Sequence, residues 1–195
     1  MPSERDRMLA GEPYDSRDPE LLAIAHEARA LLARYNAIPS TDGAARSALL
    51  ARLLGAVGPG VWIEPPFFCD YGPQISIGAN SFLNVNCVLL DAAEIRIGKN
   101  VLLGPGVQLL TASHPLRARD RLVPGWVPES GRSPYRTQAA PISIGNNVWI
   151  GAGTLVMPGV TIGDNVTIGA GSIVTKDVPP NVLAFGQPCR VQQDL

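Results

Sequence analysis

The sequence predicts a mainly β protein built as a parallel β-helix, because hydrophobic residues recur at a fixed interval of six. Four of the six positions that open the clearest run of hexads are followed directly by glycine. A period of six fits neither a helix face nor an alternating strand. We expect each hexad to form one flat face of a coil, with its first residue buried. These first residues are Ile144, Ile150, Val156, Ile162, Ile168 and Val174.

Earlier hexads extend the repeat and define a long excursion. The same spacing occurs in two further runs, Ile77, Leu83, Leu89 and Ile97, Leu103, Leu109. The step from Leu109 to Ile144 is 35 residues where six are expected, which leaves 29 residues outside the coil. Such a loop is uncommon unless it is functional or disordered. We therefore look for chemistry first in the excursion over residues 111–141.

The N-terminal residues read as helical. Asp18 and Pro19 are suitable for the start of a helix that runs to about Asn36, and Ala44 to Leu54 predict a second helix. We expect these helices to pack on the solenoid and cover its first coil. The chain then divides into a helical segment (residues 1–58), a solenoid (59–178) with its excursion, and an extended tail (179–195).

Composition excludes several classes of protein. A net charge of −1 and a pI near 6.1 give no electrostatic basis for binding nucleic acid. No apolar run approaches the roughly 18 residues of a membrane span, and the charged N-terminus does not resemble a signal peptide. We therefore expect a cytoplasmic protein. The cysteines have no metal-binding or redox spacing, so we expect no metal site and three buried thiols: Cys69, Cys87 and Cys189.

Short motifs over nearly the whole chain carry a family resemblance. They include Met8-Leu9-Ala10-Gly11-Glu12, Ile63-Glu64-Pro65-Pro66, Cys69-Asp70-Tyr71-Gly72, Asn84-Val85-Asn86, Gly104-Pro105-Gly106-Val107, His114-Pro115 and Val174-Thr175-Lys176-Asp177. With them the chain resembles the hexapeptide-repeat acyltransferases, within them the maltose/galactoside O-acetyltransferase group. The resemblance implies a left-handed parallel β-helix, and a homotrimer with active sites between subunits. It also implies acetyl-CoA as donor, and a hydroxyl of a sugar or glycoside as acceptor.

The attacking hydroxyl must lose a proton, so a general base is needed. Histidine suits this role because imidazole exchanges a proton near neutral pH. The chain has two: His26, inside the first predicted helix, and His114, where the repeat breaks. The resemblance implies that His114 is the base, in a direct transfer within a ternary complex. It also places Asn84 in the active site, where it would orient the imidazole or hold the acceptor; alternatively, Asn84 belongs with Asn86 to an asparagine ladder at a coil corner.

Acidic residues match positions where the family contacts the acceptor. They are Asp15, Asp70 and Asp91; carboxylates accept hydrogen bonds from sugar hydroxyls, but each could instead cap a turn. The excursion departs from the family, since it is longer and has Thr137-Gln138-Ala139-Ala140 where an acidic or aromatic stretch is usual. We expect Trp126 or Glu129 to supply the missing acceptor contact. The loop also holds five arginines against two acids: Arg117, Arg119, Arg121, Arg132 and Arg136 against Asp120 and Glu129.

The second set of coils is expected to bind the donor. Trp149 places a bulky ring where the other hexads have Thr or Leu, and small residues beside it would let a pantetheine arm approach the backbone. The resemblance assigns the following residues to acetyl-CoA: Trp149, Gly151, Ala152, Ala170, Thr175, Lys176 and Arg190. The tail departs from the family at Val191, Gln192 and Gln193, where a second arginine is common.

Other functions of the same solenoid are weighed against this interpretation. A γ-class carbonic anhydrase needs three histidines for its zinc, and the chain has two. A non-catalytic solenoid would show threonine ladders or lack the loop. Xenobiotic acetyltransferases that modify antibiotic hydroxyls share the fold, the histidine and a long loop. They remain the main alternative, together with capsule and sugar-nucleotide acetyltransferases, and the sequence leaves the acceptor open.

Overall fold

The computed structural model describes residues 2–195 and is mainly β. Four α-helices are α1 (Glu4–Leu9), α2 (Pro19–Ala37), α3 (Gly43–Leu53) and α4 (Ala118–Arg121). The strands are β1 (Ala56–Val57), β2 (Trp62–Ile63), β3 (Phe68–Cys69), β4 (Ile75–Ile77), β5 (Phe82–Leu83), β6 (Val88–Leu90), β7 (Ile95–Ile97), β8 (Leu102–Leu103), β9 (Gln108–Leu110), β10 (Ala112–Ser113), β11 (Gln138–Ala139), β12 (Ile142–Ile144), β13 (Trp149–Ile150), β14 (Leu155–Val156), β15 (Thr161–Ile162), β16 (Thr167–Ile168), β17 (Ile173–Val174), β18 (Val182–Gly186) and β19 (Cys189–Asp194).

The strands stack into a parallel β-solenoid with three faces, which confirms the predicted parallel repeat. The first face has the strand order β1-β4-β7-β12-β15, and the third face has β3-β6-β9-β14-β17. The second face has β2-β5-β8-β13-β16-β18, with β19 added at its edge. Within each face, neighbouring strands come from successive coils and pair in parallel. The coils on either side of the excursion therefore form one continuous stack.

The core is a set of columns made by equivalent residues of successive coils. In the run of hexads that begins at Ile144 and ends with the hexad of Val174, all six first residues are at most 3% exposed. Most residues four positions on are buried as well, among them Val148, Val160 and Val166. Burying a residue of this size removes enough apolar surface to contribute about 1.5–3 kcal/mol. The hexad spacing thus reports the inward-facing columns, as predicted.

One corner of the solenoid carries an asparagine ladder. Five asparagines there have left-handed backbone φ values between 55° and 61°, a region that asparagine tolerates better than most residues. Their side-chain amides hydrogen-bond from coil to coil at 2.8–3.3 Å. The ladder consists of Asn80, Asn100, Asn147, Asn165 and Asn181. Asn84 is not part of it, because its Oδ1 accepts instead from the backbone N–H of Val85 at 2.8 Å.

The N-terminal helices cover the first coil, as expected. The Tyr35 hydroxyl of α2 donates to the carbonyl of Ile63 at 2.6 Å, and the Asn36 side chain bonds both the N–H and the carbonyl of Phe67. Leucines of α2 and α3 join the core of the solenoid. The short helix α1 was not predicted. It begins at a capping box between Ser3 and Asp6 and is too short to show a helical period.

The tail does not simply extend away from the solenoid. Residues 182–194 form an antiparallel hairpin, β18–β19, and β18 pairs in parallel with β16. Val182 and Ala184 alternate with exposed or half-buried residues, so one side of β18 continues the core. The tail therefore closes the last coil of the second face.

The excursion is closed at its base by a two-stranded sheet. β10 pairs antiparallel with β11, so the chain returns beside the point where it left. Between them lie α4 and a 3-10 helix, Pro128–Ser130. Tyr14 forms a further antiparallel bridge with Thr137. Across residues 2–195 no helix has the length and apolar character needed to cross a membrane, and no three His, Cys, Asp or Glu side chains cluster as a metal site.

Candidate active site

His114 lies directly after β10, at the base of the excursion. Its Nδ1 is 2.8 Å from the carbonyl oxygen of Arg136. A carbonyl oxygen can only accept, so we assign the proton of the neutral ring to Nδ1. The lone pair of the ring is then on Nε2, and the side chain is exposed to solvent. The Tyr135 ring is tilted by 60° against the imidazole, with 6.3 Å between ring centroids.

A cavity of about 520 Å³ lies on the second face, beside the corner that leads to the third. It brings together five residues that the sequence assigned to the site: Asn84, Trp149, Gly151, Ala152 and Ala170. The Trp149 side chain projects outward from β13 and is 55% exposed. We call this space the donor cavity, after the role that the sequence analysis predicts for these residues. The structure thus gathers most of the predicted donor site in one place.

The small residues of the donor cavity lie in two different environments. A Cβ on Gly151 would lie 2.4 Å from the backbone nitrogen of Ala170, so stacking of the coils excludes any side chain there. Ala152 and Ala170 are exposed instead, and neither backbone N–H donates to an acceptor within residues 2–195. Two unpaired N–H groups beside an exposed indole fit a ligand that accepts hydrogen bonds.

Three residues predicted to contact the donor lie outside this cavity. Thr175 and Lys176 follow β17 and are exposed at the corner between the third and first faces. Arg190 lies on β19 opposite Phe185, and its guanidinium donates to the carbonyl of Cys189 at 2.7 Å. Their assignment to acetyl-CoA stays a prediction.

Asp91 does not face a ligand. The side chain is fully buried, and its two carboxylate oxygens accept from the backbone N–H groups of Asp70, Tyr71 and Gly72 at 2.7–3.1 Å. Burial raises the pKa of Asp91 to about 6, although the hydrogen bonds from Tyr71 and Gly72 oppose this shift. We therefore correct the expected acceptor contact: Asp91 holds the turn at residues 70–72.

Asp70, in contrast, remains available. Its side chain is half-buried, and no hydrogen bond from residues 2–195 reaches its carboxylate. Burial raises the pKa of Asp70, while the positive charge of Arg29 opposes the shift. Its proposed contact with an acceptor hydroxyl is compatible with this environment.

Asp15 connects the N-terminal segment to the excursion. Its carboxylate accepts from the Arg132 Nε at 2.9 Å and from the backbone N–H groups of Ser133 and Arg17, each at 3.0 Å. Burial alone would raise the pKa of Asp15, but these hydrogen bonds lower it overall. Asp15 therefore anchors the loop, and its contact with an acceptor hydroxyl stays a prediction.

The two residues expected to replace the missing acceptor contact differ in position. Trp126 is half-buried, and its Nε1 donates to the carbonyl of Arg132 at 2.8 Å. It lines a pocket of about 310 Å³ between the excursion and the N-terminal segment. Glu129 is exposed on the 3-10 helix and does not line this pocket. The acceptor contact expected of either residue stays a prediction.

The sequence analysis missed the residues that hold His114 and Asp15 in place. The partner of His114 is the backbone carbonyl of Arg136, which no side-chain pattern reveals. The partner of Asp15 is Arg132, 117 residues away in the chain. The arginine excess of the loop was the one available signal, but it did not single out Arg132.

Comparisons with known proteins identify the family. Residues 7–58 match the maltose acetyltransferase hexapeptide capping motif, and residues 141–176 match the bacterial transferase hexapeptide (six repeats). Nodulation protein L of Rhizobium meliloti (strain 1021) is 47% identical over 190 residues, covering 97% of this chain and 98% of that protein. The galactoside O-acetyltransferase of Escherichia coli (strain K12) is 38% identical over 190 residues, covering 97% of this chain and 88% of that protein.

Solved structures agree with this comparison. A maltose O-acetyltransferase from Clostridium difficile 630 superposes with a TM-score of 0.91 at 41% identity, covering 100% of this chain and 98% of that one. A hexapeptide-repeat acetyltransferase from Vibrio cholerae O1 biovar eltor, complexed with acetyl coenzyme A, gives a TM-score of 0.86 at 40% identity. The match covers 100% of this chain and 99% of that chain. The chain therefore belongs to the hexapeptide-repeat acetyltransferases, in the maltose/galactoside O-acetyltransferase group, and it is an acetyltransferase.

Proposed function

We propose that this protein transfers an acetyl group from acetyl-CoA to a hydroxyl of a sugar or glycoside, with His114 as general base. The main observation that supports His114 as the base is the hydrogen bond from its Nδ1–H to the carbonyl of Arg136 at 2.8 Å. In the neutral ring this bond places the lone pair on Nε2, and the side chain is exposed, as a base requires. Among the named relatives, a maltose and a galactoside O-acetyltransferase support the acceptor class.

Proton transfer, stabilisation of the developing negative charge and binding of the acceptor are assigned to different residues. His114 Nε2 takes the proton of the acceptor hydroxyl as the hydroxyl oxygen bonds to the thioester carbonyl carbon. The N–H groups of Ala152 and Ala170 are available for the negative charge that develops on the carbonyl oxygen. When the carbon–sulfur bond breaks, His114 returns its proton to the departing thiolate. Asn84 and Asp70 are assigned to holding the acceptor.

Direct transfer is favoured because no thiol is suited to carry the acetyl group. Cys69, Cys87 and Cys189 are all buried. Burial raises the pKa of each thiol, for Cys87 to about 11, so little thiolate forms near neutral pH. A ternary complex with both substrates bound is the mechanism that remains consistent with these cysteines.

The exposed surface favours a homotrimer. Outward residues of the first face are largely polar, for example Ser76, Arg96 and Thr161. The second face instead exposes a column of large apolar side chains: Trp62 at 43%, Leu102 at 48% and Trp149 at 55%. Contiguous apolar surface of this kind indicates an interface. His114 does not line the donor cavity, so a neighbouring subunit would complete the site.

The test compares the two histidines. General-base catalysis contributes about 10²–10⁴-fold, so His114→Ala should lower kcat by roughly that factor and leave acetyl-CoA affinity unchanged. His26→Ala is the matched control, because His26 is exposed on α2 and lines neither the donor cavity nor the pocket beside Trp126. Initial-rate lines at varied acetyl-CoA and acceptor should intersect. Full activity of His114→Ala, or parallel lines with a trapped acetyl-enzyme, would refute the mechanism.

A further inference from the structure

The excursion contains five arginines, and the proposed function uses none of their side chains. Irregular backbone leaves carbonyl groups without partners from secondary structure, and a guanidinium group has several N–H donors that can satisfy them. Two of the arginines do this close to His114. Arg121, in α4, donates to the carbonyl of Pro115 at 3.5 Å, and Arg136 donates to the carbonyl of Asp120 at 3.5 Å.

Arg121 contacts the chain on both sides of the imidazole. Besides the contact of its guanidinium with Pro115, its backbone carbonyl accepts from the N–H of Arg136 at 2.8 Å. Pro115 directly follows His114 in the chain, and Arg136 supplies the carbonyl that holds Nδ1 of the ring. One residue of α4 therefore links the segment that carries the base to the segment that orients it.

Further contacts hold the chain after α4 against the segment that contains Arg136. The N–H of Val123 donates to the carbonyl of Pro134 at 3.0 Å, and Leu122 forms an antiparallel bridge with Tyr135. These contacts continue the pairing that begins at Arg121, so the two segments run side by side. The position of the Arg136 carbonyl therefore depends on the position of α4.

The Arg136 carbonyl matters because it selects the tautomer of His114. A neutral imidazole carries one proton, and the hydrogen-bond partner of one nitrogen decides which nitrogen holds it. In residues 2–195 the bond from Nδ1 to this carbonyl is the one hydrogen bond that the ring makes. If the carbonyl moved away, the two tautomers would compete. A proton on Nε2 would then block this nitrogen as a base.

We propose that Arg121 is a positioning residue for His114, which holds Pro115 and Arg136 in the arrangement that keeps the ring proton on Nδ1. This inference rests on the proposed function and deepens it, since Arg121 acts on the base without touching either substrate. Arg121 is half-buried and lines neither the donor cavity nor the pocket beside Trp126. Its contribution should therefore appear in kcat and not in either KM.

Steady-state kinetics of Arg121→Ala provide the first test. One hydrogen bond contributes about two- to tenfold, so kcat should fall by that factor, while KM for acetyl-CoA and for the acceptor stays unchanged. Arg121→Lys keeps a positively charged donor and should restore most of kcat. Arg119→Ala is the matched control and should keep the wild-type kcat. Arg119 belongs to the same helix, its side chain is 75% exposed, and its ion pair is with the adjacent Asp120.

The tautomer is measured directly by ¹⁵N NMR of the histidine rings, because a protonated and an unprotonated ring nitrogen differ in chemical shift. The chain has two histidines, so His26 serves as the internal reference. At a pH where the rings are neutral, wild-type His114 should show a protonated Nδ1 and an unprotonated Nε2. In Arg121→Ala both shifts should move toward intermediate values, and in Arg119→Ala they should match the wild type.

The inference is overturned by an unchanged kcat in Arg121→Ala, or by His114 shifts in this variant that match the wild type. An equal loss of kcat in Arg119→Ala also overturns it, because the effect would then be a general disturbance of the excursion. Failure of the proposed function is a different result, namely full activity of His114→Ala. The two remain distinguishable because the ring shifts are measured without acceptor or acetyl-CoA.

Discussion

Replacing Asp91 by asparagine tests whether this carboxylate is a buried turn residue or a contact for the acceptor. Asp91 is fully buried, and burial raises its pKa from an ordinary value near 3.8 to about 6. The Asp91→Asn protein keeps an acceptor oxygen for the backbone N–H groups of residues 70–72 but cannot ionise. One carboxylate oxygen of Asp91 accepts from the N–H of Gly72 at 2.7 Å, and the other accepts from the N–H groups of Asp70 and Tyr71. The amide nitrogen of asparagine replaces one of these oxygens and cannot accept, so the variant loses the hydrogen bonding at that oxygen at every pH.

The magnitude follows from the two pKa values. The folded state holds the Asp91 proton up to about pH 6, while the unfolded chain releases it near 3.8. Between these values the folded state binds more protons, so the free energy of unfolding decreases as pH rises. A difference of about two pH units at about 1.4 kcal/mol each gives about 3 kcal/mol. This contribution is fully present below about pH 4 and is lost by about pH 6–7.

The assay is urea unfolding of the wild type and Asp91→Asn at several pH values from 4 to 7, at one protein concentration. Subtracting the two free energies at each pH cancels the titration of all other groups. We expect the wild type to lose about 3 kcal/mol relative to the variant as pH rises across this range. A difference that stays constant with pH would refute a buried carboxylate with a raised pKa. A large, selective increase in acceptor KM would restore Asp91 as a binding residue.

The remaining predictions concern the donor cavity, the coil corners and the assembly. Trp149→Ala should raise the KM for acetyl-CoA about tenfold with little effect on acceptor KM, whereas Trp149→Phe should retain most of the affinity; steady-state kinetics decide this. Gly151→Ala should destabilise the protein by about 1–3 kcal/mol or more, since the new Cβ would lie 2.4 Å from the Ala170 nitrogen. Gly43→Ala, with no atom within 4 Å of the new Cβ and an ordinary helical backbone, should be neutral or stabilising by up to about 1 kcal/mol in the same unfolding experiment. Sedimentation at micromolar concentration should show a trimer, and a fully active monomer would exclude it.

The fold and the general course of the chain could be predicted because the hexad is a local signal. Each hexad places its first residue in the core, and Ile150 and Val156 follow this rule without any knowledge of distant contacts. The helices α2 and α3 were predicted for the same reason, since caps such as Asp18 act within one turn. His114 also stood out locally, at the point where the repeat stops.

The site required contacts that the sequence does not encode locally. Asp91 and Asp15 both looked like carboxylates for sugar hydroxyls, yet backbone N–H groups and Arg132 already occupy their oxygens. Their partners lie about 20 and 117 residues away, so only the folded chain decides whether a carboxylate is free. The tail, too, became a hairpin because an open strand edge on β16 was available for pairing.

The sequence alone therefore determined the solenoid, its excursion and the identity of the single histidine within that excursion, since these depend on repeated local choices of residue type. The tertiary structure decided the rest. It set the tautomer of His114 through a backbone carbonyl and separated the donor cavity from Lys176. It also formed the pocket beside Trp126 from two segments more than 100 residues apart. Hydrogen bonds and cavities depend on which atoms meet in space, and in this chain those atoms come from distant coils and loops.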